Sequence, residues 1–128
     1  MQFATMPLRF LTISAPLMAL FVLSNPAFAQ LDTLNSEAEI RELFSGNKIM
    51  GMDKNENYVE DYYPDGRIEG RAEDERYTGE WRIQSGKICT KYEQETEWDC
   101  TKVARSGSTV YWLDEDFKSA TLIPGNTR

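Results

Sequence analysis

Hydrophobic and polar positions change rhythm along this chain three times. The first 31 residues carry a single charge, Arg9, followed by an apolar run from Phe10 to Leu23 that only Thr12, Ser14 and Pro16 interrupt. The stretch SEAEIRELFSG follows, with Ile40, Leu43 and Phe44 at i, i+3 and i+4, one stripe of an amphipathic helix. Ser36 with Glu39 three residues on is a capping-box pattern, and Gly46 is placed to end the helix. About three turns are expected, docked through the apolar stripe.

After Gly46 the period drops to two. Short runs rich in Tyr, Trp, Ile, Val and Thr alternate with turn residues. The expected strands are 47–52, 57–63, 67–71, 76–84, 87–93, 96–104, 109–114 and 117–123. Residues 30–35 read as a polar lead-in. Strand 76–84 alternates most clearly: Tyr77, Gly79, Trp81 and Ile83 on one face, Arg76, Thr78, Glu80 and Arg82 on the other. Gly79 within it suggests a bulge or bend. Pro64-Asp65-Gly66 fits a type I turn, and Ser85-Gly86 a tight one.

Every connection is too short for a parallel crossover, so the expected fold is mainly β. It is an antiparallel meander of about eight strands forming a small barrel or curled half-barrel, with one short N-terminal helix. Curling removes exposed sheet edges. The helix is expected to cover an open end or an edge.

The leading segment has the layout of a signal peptide: a positive start, an apolar centre and Ala27-Phe28-Ala29 as an A-x-A cleavage site. Its apolar run is shorter than the roughly 20 residues a spanning helix needs. Cleavage after Ala29 leaves a single domain from Gln30 to Arg128, periplasmic or secreted, with no membrane span. The whole chain carries a formal charge of −7, and loss of Arg9 with the leader makes the exported domain slightly more acidic still. That sign argues against nucleic acid as a partner. It suits an unknown small molecule or a basic protein.

Export also interprets the two cysteines. Cys89 and Cys100 are the only ones, and an oxidising compartment favours their pairing. Without histidine a zinc site lacks ligands, and Cys-x-x-Cys is absent. A disulfide placing Cys89 opposite Cys100 also sets Lys91 opposite Trp98 and Glu93 opposite Thr96. That leaves a two-residue loop, Gln94-Glu95, without the Gly or Asn such turns prefer, so a wider turn is an alternative.

Candidate chemistry is sparse. Asp53-Lys54-Asn55-Glu56-Asn57 begins like a calcium loop, but Tyr58 stands where Gly belongs and Pro64 where Glu belongs. Glu73-Asp74-Glu75 and Asp114-Glu115-Asp116 could share an ion only if their loops met. No cofactor, metal or catalytic residue is assigned. The missing histidine and free thiol point away from an enzyme, although Glu60, Asp61 and Glu80 would suit a two-carboxylate hydrolase. Aromatic side chains are abundant. Tyr92, Trp98, Trp81 and Trp112 are the candidates for a ligand-binding face.

The segments LFSGNKIMG, YYPDGRIEGR, YTGEWRIQSGKICTKYE and ATLIPGN together show a pattern of turns and aromatics that spans most of residues 36–126. The chain here resembles small exported alphaproteobacterial proteins grouped as domain-of-unknown-function family 995. The resemblance implies a periplasmic or secreted β-rich domain and assigns no site residues. The expected function is a binding or interaction module. A carboxylate-based hydrolase, or an acidic inhibitor of a basic enzyme such as lysozyme, is the alternative.

Overall fold

The computed structural model describes residues 30–114 and 116–125. Residues 1–29, where the signal peptide is expected, Glu115 and residues 126–128 lie outside the described residues. Among the described residues ten antiparallel strands and one helix form a curled half-barrel. They are β1 (Asp32–Leu34), α1 (Glu37–Phe44), β2 (Asn47–Asp53), β3 (Glu56–Tyr62), β4 (Arg67–Ala72), β5 (Glu75–Gln84), β6 (Lys87–Tyr92), β7 (Asp99–Thr101), β8 (Val103–Ser106), β9 (Thr109–Trp112) and β10 (Ser119–Ile123).

Helix α1 begins where the sequence places it. The Glu39 amide donates to Ser36 Oγ, and the Ser36 amide donates back to the Glu39 carboxylate, so both halves of the capping box are made. The Ser36 amide, and the Asn35 amide that donates to the same oxygen, hold the Glu39 carboxyl below its ordinary pKa. The helix is shorter than three turns. Ser45 caps it, and Gly46 takes a positive φ of 76° while donating its amide to Tyr62 O. Ile40, Leu43 and Phe44 are fully buried. Burying each such side chain contributes roughly 1.5–3 kcal/mol.

The sheet order is β1-β8-β9-β10-β2-β3-β4-β5-β6-β7. Two meanders, β2–β7 and β8–β10, are joined by the β10–β2 pair, and β1 adds to β8. Two details differ from the sequence expectation, and a third decides between its alternatives. The lead-in holds strand β1, where Leu34 is buried and Thr33 lies opposite Ala104. The expected strand 96–104 is two strands, because β7 pairs with β6 while β8 pairs with β1 and β9. The hairpin joining β6 and β7 has the wider turn. The Glu95 amide donates to Tyr92 O, and the ladder resumes only at Thr90 opposite Asp99.

Lys102 alone joins β7, at one edge of the sheet, to β8 near the other. Residues two apart lie within about 7 Å, so the two margins must approach there. This short link requires the curl.

Strand β5 is the hinge of that curl. Its first half pairs with β4 and its second half with β6, and both ladders run through Gly79 and Glu80. Neither ladder leaves an unpaired residue at Gly79, so there is no bulge there. Cys89 and Cys100 are directly opposite and bonded, S–S 2.01 Å. The bond alternates along β6 with Ile88 and Thr90, which face inward, so it lies on the convex side.

Candidate functional site

The concave face is divided in two. Below, the stripe of α1 meets Ile49, Tyr62, Ile68, Trp81, Ile88, Val103 and Val110 in one apolar core. Phe44 packs on Tyr62 at 5.0 Å and edge-on to Trp112 at 6.2 Å. Above this floor is a cavity of about 660 Å³. Its rim comes from four connections at the same end of the sheet: β2–β3, β4–β5, β6–β7 and β9–β10. Each contributes acid, as with Glu56, Glu75, Glu93 and Asp114.

Glu60 is the centre of the cavity. Period two on β3 puts Tyr58, Glu60 and Tyr62 on the inner face, and Glu60 retains only 6% exposure. Three phenols donate to its carboxylate. Tyr62 Oη reaches Oε2 at 2.7 Å, while Tyr77 Oη and Tyr92 Oη reach Oε1, each at 2.8 Å. Among the described residues no lysine or arginine is ion-paired with Glu60. A buried carboxylate without a cation is costly unless its lone pairs are bonded, and hydroxyl donors meet that requirement.

Glycines on neighbouring strands make the arrangement possible. Gly51 pairs with Tyr58, Gly70 with Tyr77 and Gly79 with Tyr92. A Cβ on Gly51 would sit 2.5 Å from Tyr58 Oη, and one on Gly79 2.9 Å from the Tyr92 ring. A Cβ on Gly70 would overlap the Tyr77 ring. Each tyrosine thus lies across the bare backbone of the adjacent strand. Tyr77 and Tyr92 also meet edge to face at 5.7 Å.

The same environment fixes the protonation of the phenols. Burial, then the Glu60 charge, pushes Tyr58 up to about 12. Both causes, in that order, also raise Tyr62, Tyr77 and Tyr92. All four remain neutral at neutral pH.

The four aromatic candidates from the sequence go to three places. Tyr92 and Trp112 line the cavity. Trp81 is buried in the core, with its indole N–H donating to Tyr63 O at 2.8 Å. Trp98 lies between Arg82, at 4.1 Å from the ring centroid, and Lys91, at 5.2 Å. These two cations share the outer face with the disulfide.

The candidate acids do not share a face. Asp61 alternates away from Glu60 and pairs with Lys48 at 3.3 Å, and Glu80 pairs with Lys91 on the convex side. The calcium-loop-like stretch is a two-residue hairpin turn with Lys54 and Asn55 both at positive φ, 48° and 69°. Both acidic triplets reach the rim through Glu75 and Asp114. Among the described residues no three acidic or cysteine side chains group closely enough to hold a metal ion.

No family model, curated protein or solved structure matches this chain. The functional reading therefore rests on the site itself. Sequence reasoning offers Glu60 only as one of three carboxylates for a hydrolase and does not connect it with Tyr62, Tyr77 or Tyr92. The available signal was Glu60 between two tyrosines at i±2 on a face that strand alternation turns inward.

Proposed function

We propose that this chain is an exported binding module that holds a small molecule in the cup of its half-barrel. The carrying observation is the cavity of about 660 Å³ with a hydrogen-bonded carboxylate inside it and aromatic walls around it. Sites for small ligands are concave, largely apolar and supplied with a few converging polar groups, within a range of roughly 300–1,000 Å³. The disulfide supports an oxidising compartment, and the leader read from residues 1–29 supports export. No helix among the described residues is long and apolar enough to cross a membrane.

Native mass spectrometry of protein recovered from a bacterial periplasm tests this reading. The expected spectrum shows the polypeptide carrying additional small-molecule mass, and Thr90→Trp, which fills the cup, removes it. Bare polypeptide mass for both proteins would overturn the reading.

A further inference from the structure

Resting on the reading of the cup as a ligand site, we propose that its ligand is an organic ammonium ion whose charged head approaches Glu60 and whose apolar part lies against the aromatic walls. Three independent features of the cavity converge on this class.

The first is charge. Among the described residues eight carboxylates line the cavity against two lysines, Lys54 and Lys118, and Lys118 is ion-paired with Asp53 at 3.2 Å. A concave low-dielectric surface of one sign focuses field lines and concentrates counter-ions. It attracts cations and repels carboxylates and phosphates.

The second is the state of Glu60. Three neutral phenols satisfy hydrogen bonds but cannot cancel the charge. Oε1 already accepts two donors and Oε2 one, which leaves Oε2 capacity for one more. An ammonium head supplies both the missing donor and the missing charge. Hydrogen bonds in which both partners are charged are the stronger kind.

The third is the wall. Tyr58, Tyr77, Tyr92 and Trp112 surround the space beside Glu60, and aromatic faces attract cations more strongly once desolvated. A hydrated metal ion gains little from such walls. An alkyl or aryl ammonium gains from both walls and carboxylate.

The test is a charge series of one shape, measured by titration calorimetry on the exported, oxidised chain at neutral pH. Benzylamine is the cation, benzyl alcohol the neutral analogue and benzoate the anion. Benzylammonium should bind about tenfold or more tighter than benzyl alcohol, with benzoate not bound. The preference should shrink as salt is raised and fall several-fold in Glu60→Gln. Glu56→Gln/Glu75→Gln, at two exposed rim positions, should weaken it in the same direction if Glu60→Gln does not fold. Benzyl alcohol binding as tightly as benzylammonium overturns the ammonium assignment and leaves the cup as a ligand site. Failure of all three to bind overturns both.

Discussion

Gly70 lies directly opposite Tyr77 in the β4–β5 ladder, and the Tyr77 ring occupies the space where a Gly70 side chain would project. Replacing Gly70 by Ala has two opposed effects. It stiffens the unfolded chain, which favours folding by about 0.4–1 kcal/mol. It also overpacks the pair, which costs about 1–3 kcal/mol. The clash is with an aromatic ring bonded to Glu60, so the cost wins. Gly70→Ala should lower stability in urea denaturation. Combining it with Tyr77→Ala should cost less than the two single changes added together. Strict additivity would show that the two residues do not compete for space.

Glu60 accepts from three phenols at once, and its variants separate charge from hydrogen bonding. Glu60→Gln keeps an acceptor of the same shape. Glu60→Ala leaves three hydroxyls without their partner, at about 1–3 kcal/mol for a buried polar group. Denaturant unfolding should therefore rank the native chain and Glu60→Gln well above Glu60→Ala. Equal stability of Glu60→Ala and Glu60→Gln would mean that the phenols find other partners.

The tyrosines around Glu60 hold their protons more tightly folded than unfolded. Their contribution to stability is therefore complete below the ordinary tyrosine value of 10.0. It is lost as pH rises from there through about 12 for Tyr58, and through the raised values of Tyr62, Tyr77 and Tyr92. An alkaline titration followed by tyrosinate absorbance should show these four ionising late, together with loss of the folded far-ultraviolet signal. Smooth ionisation of all six tyrosines near the ordinary value, with the fold intact, would contradict the buried cluster.

The Cys89–Cys100 bond joins residues 11 apart in sequence, a loop for which chain entropy gives roughly 2–3 kcal/mol of stabilisation. Cys89→Ala/Cys100→Ala should unfold at correspondingly lower urea. Thiol titration of the native chain should find no reactive thiol, because both cysteines are consumed.

Much of the fold is legible in the residues. The capping box, the Ile40-Leu43-Phe44 stripe, the 63–66 turn and the alternation on β5 each follow from local chemistry, and the structure contains all four. Strand β1 was not legible, because Asp32–Leu34 offers one apolar residue and acquires its structure only by pairing with β8. The break at Lys102 was hidden for a related reason. Residues 96–104 read as one run, and only the curl of the whole sheet sends the two halves to opposite margins. The site was half legible. Alternation turns Glu60 and its flanking tyrosines inward, but the bonds from Tyr77 and Tyr92 depend on the register of β4, β5 and β6. That register is set by turns and packing beyond the reach of any local pattern.

The most direct test is a nitrogen-15 NMR titration of the labelled, oxidised chain with benzylammonium, reading backbone amide shifts residue by residue. The predicted result is a saturating set of shifts concentrated on Tyr58, Glu60, Tyr77, Thr90 and Tyr92. Shifts confined to the convex face around Arg82 and Trp98, or none at all, would contradict a cation-binding cup.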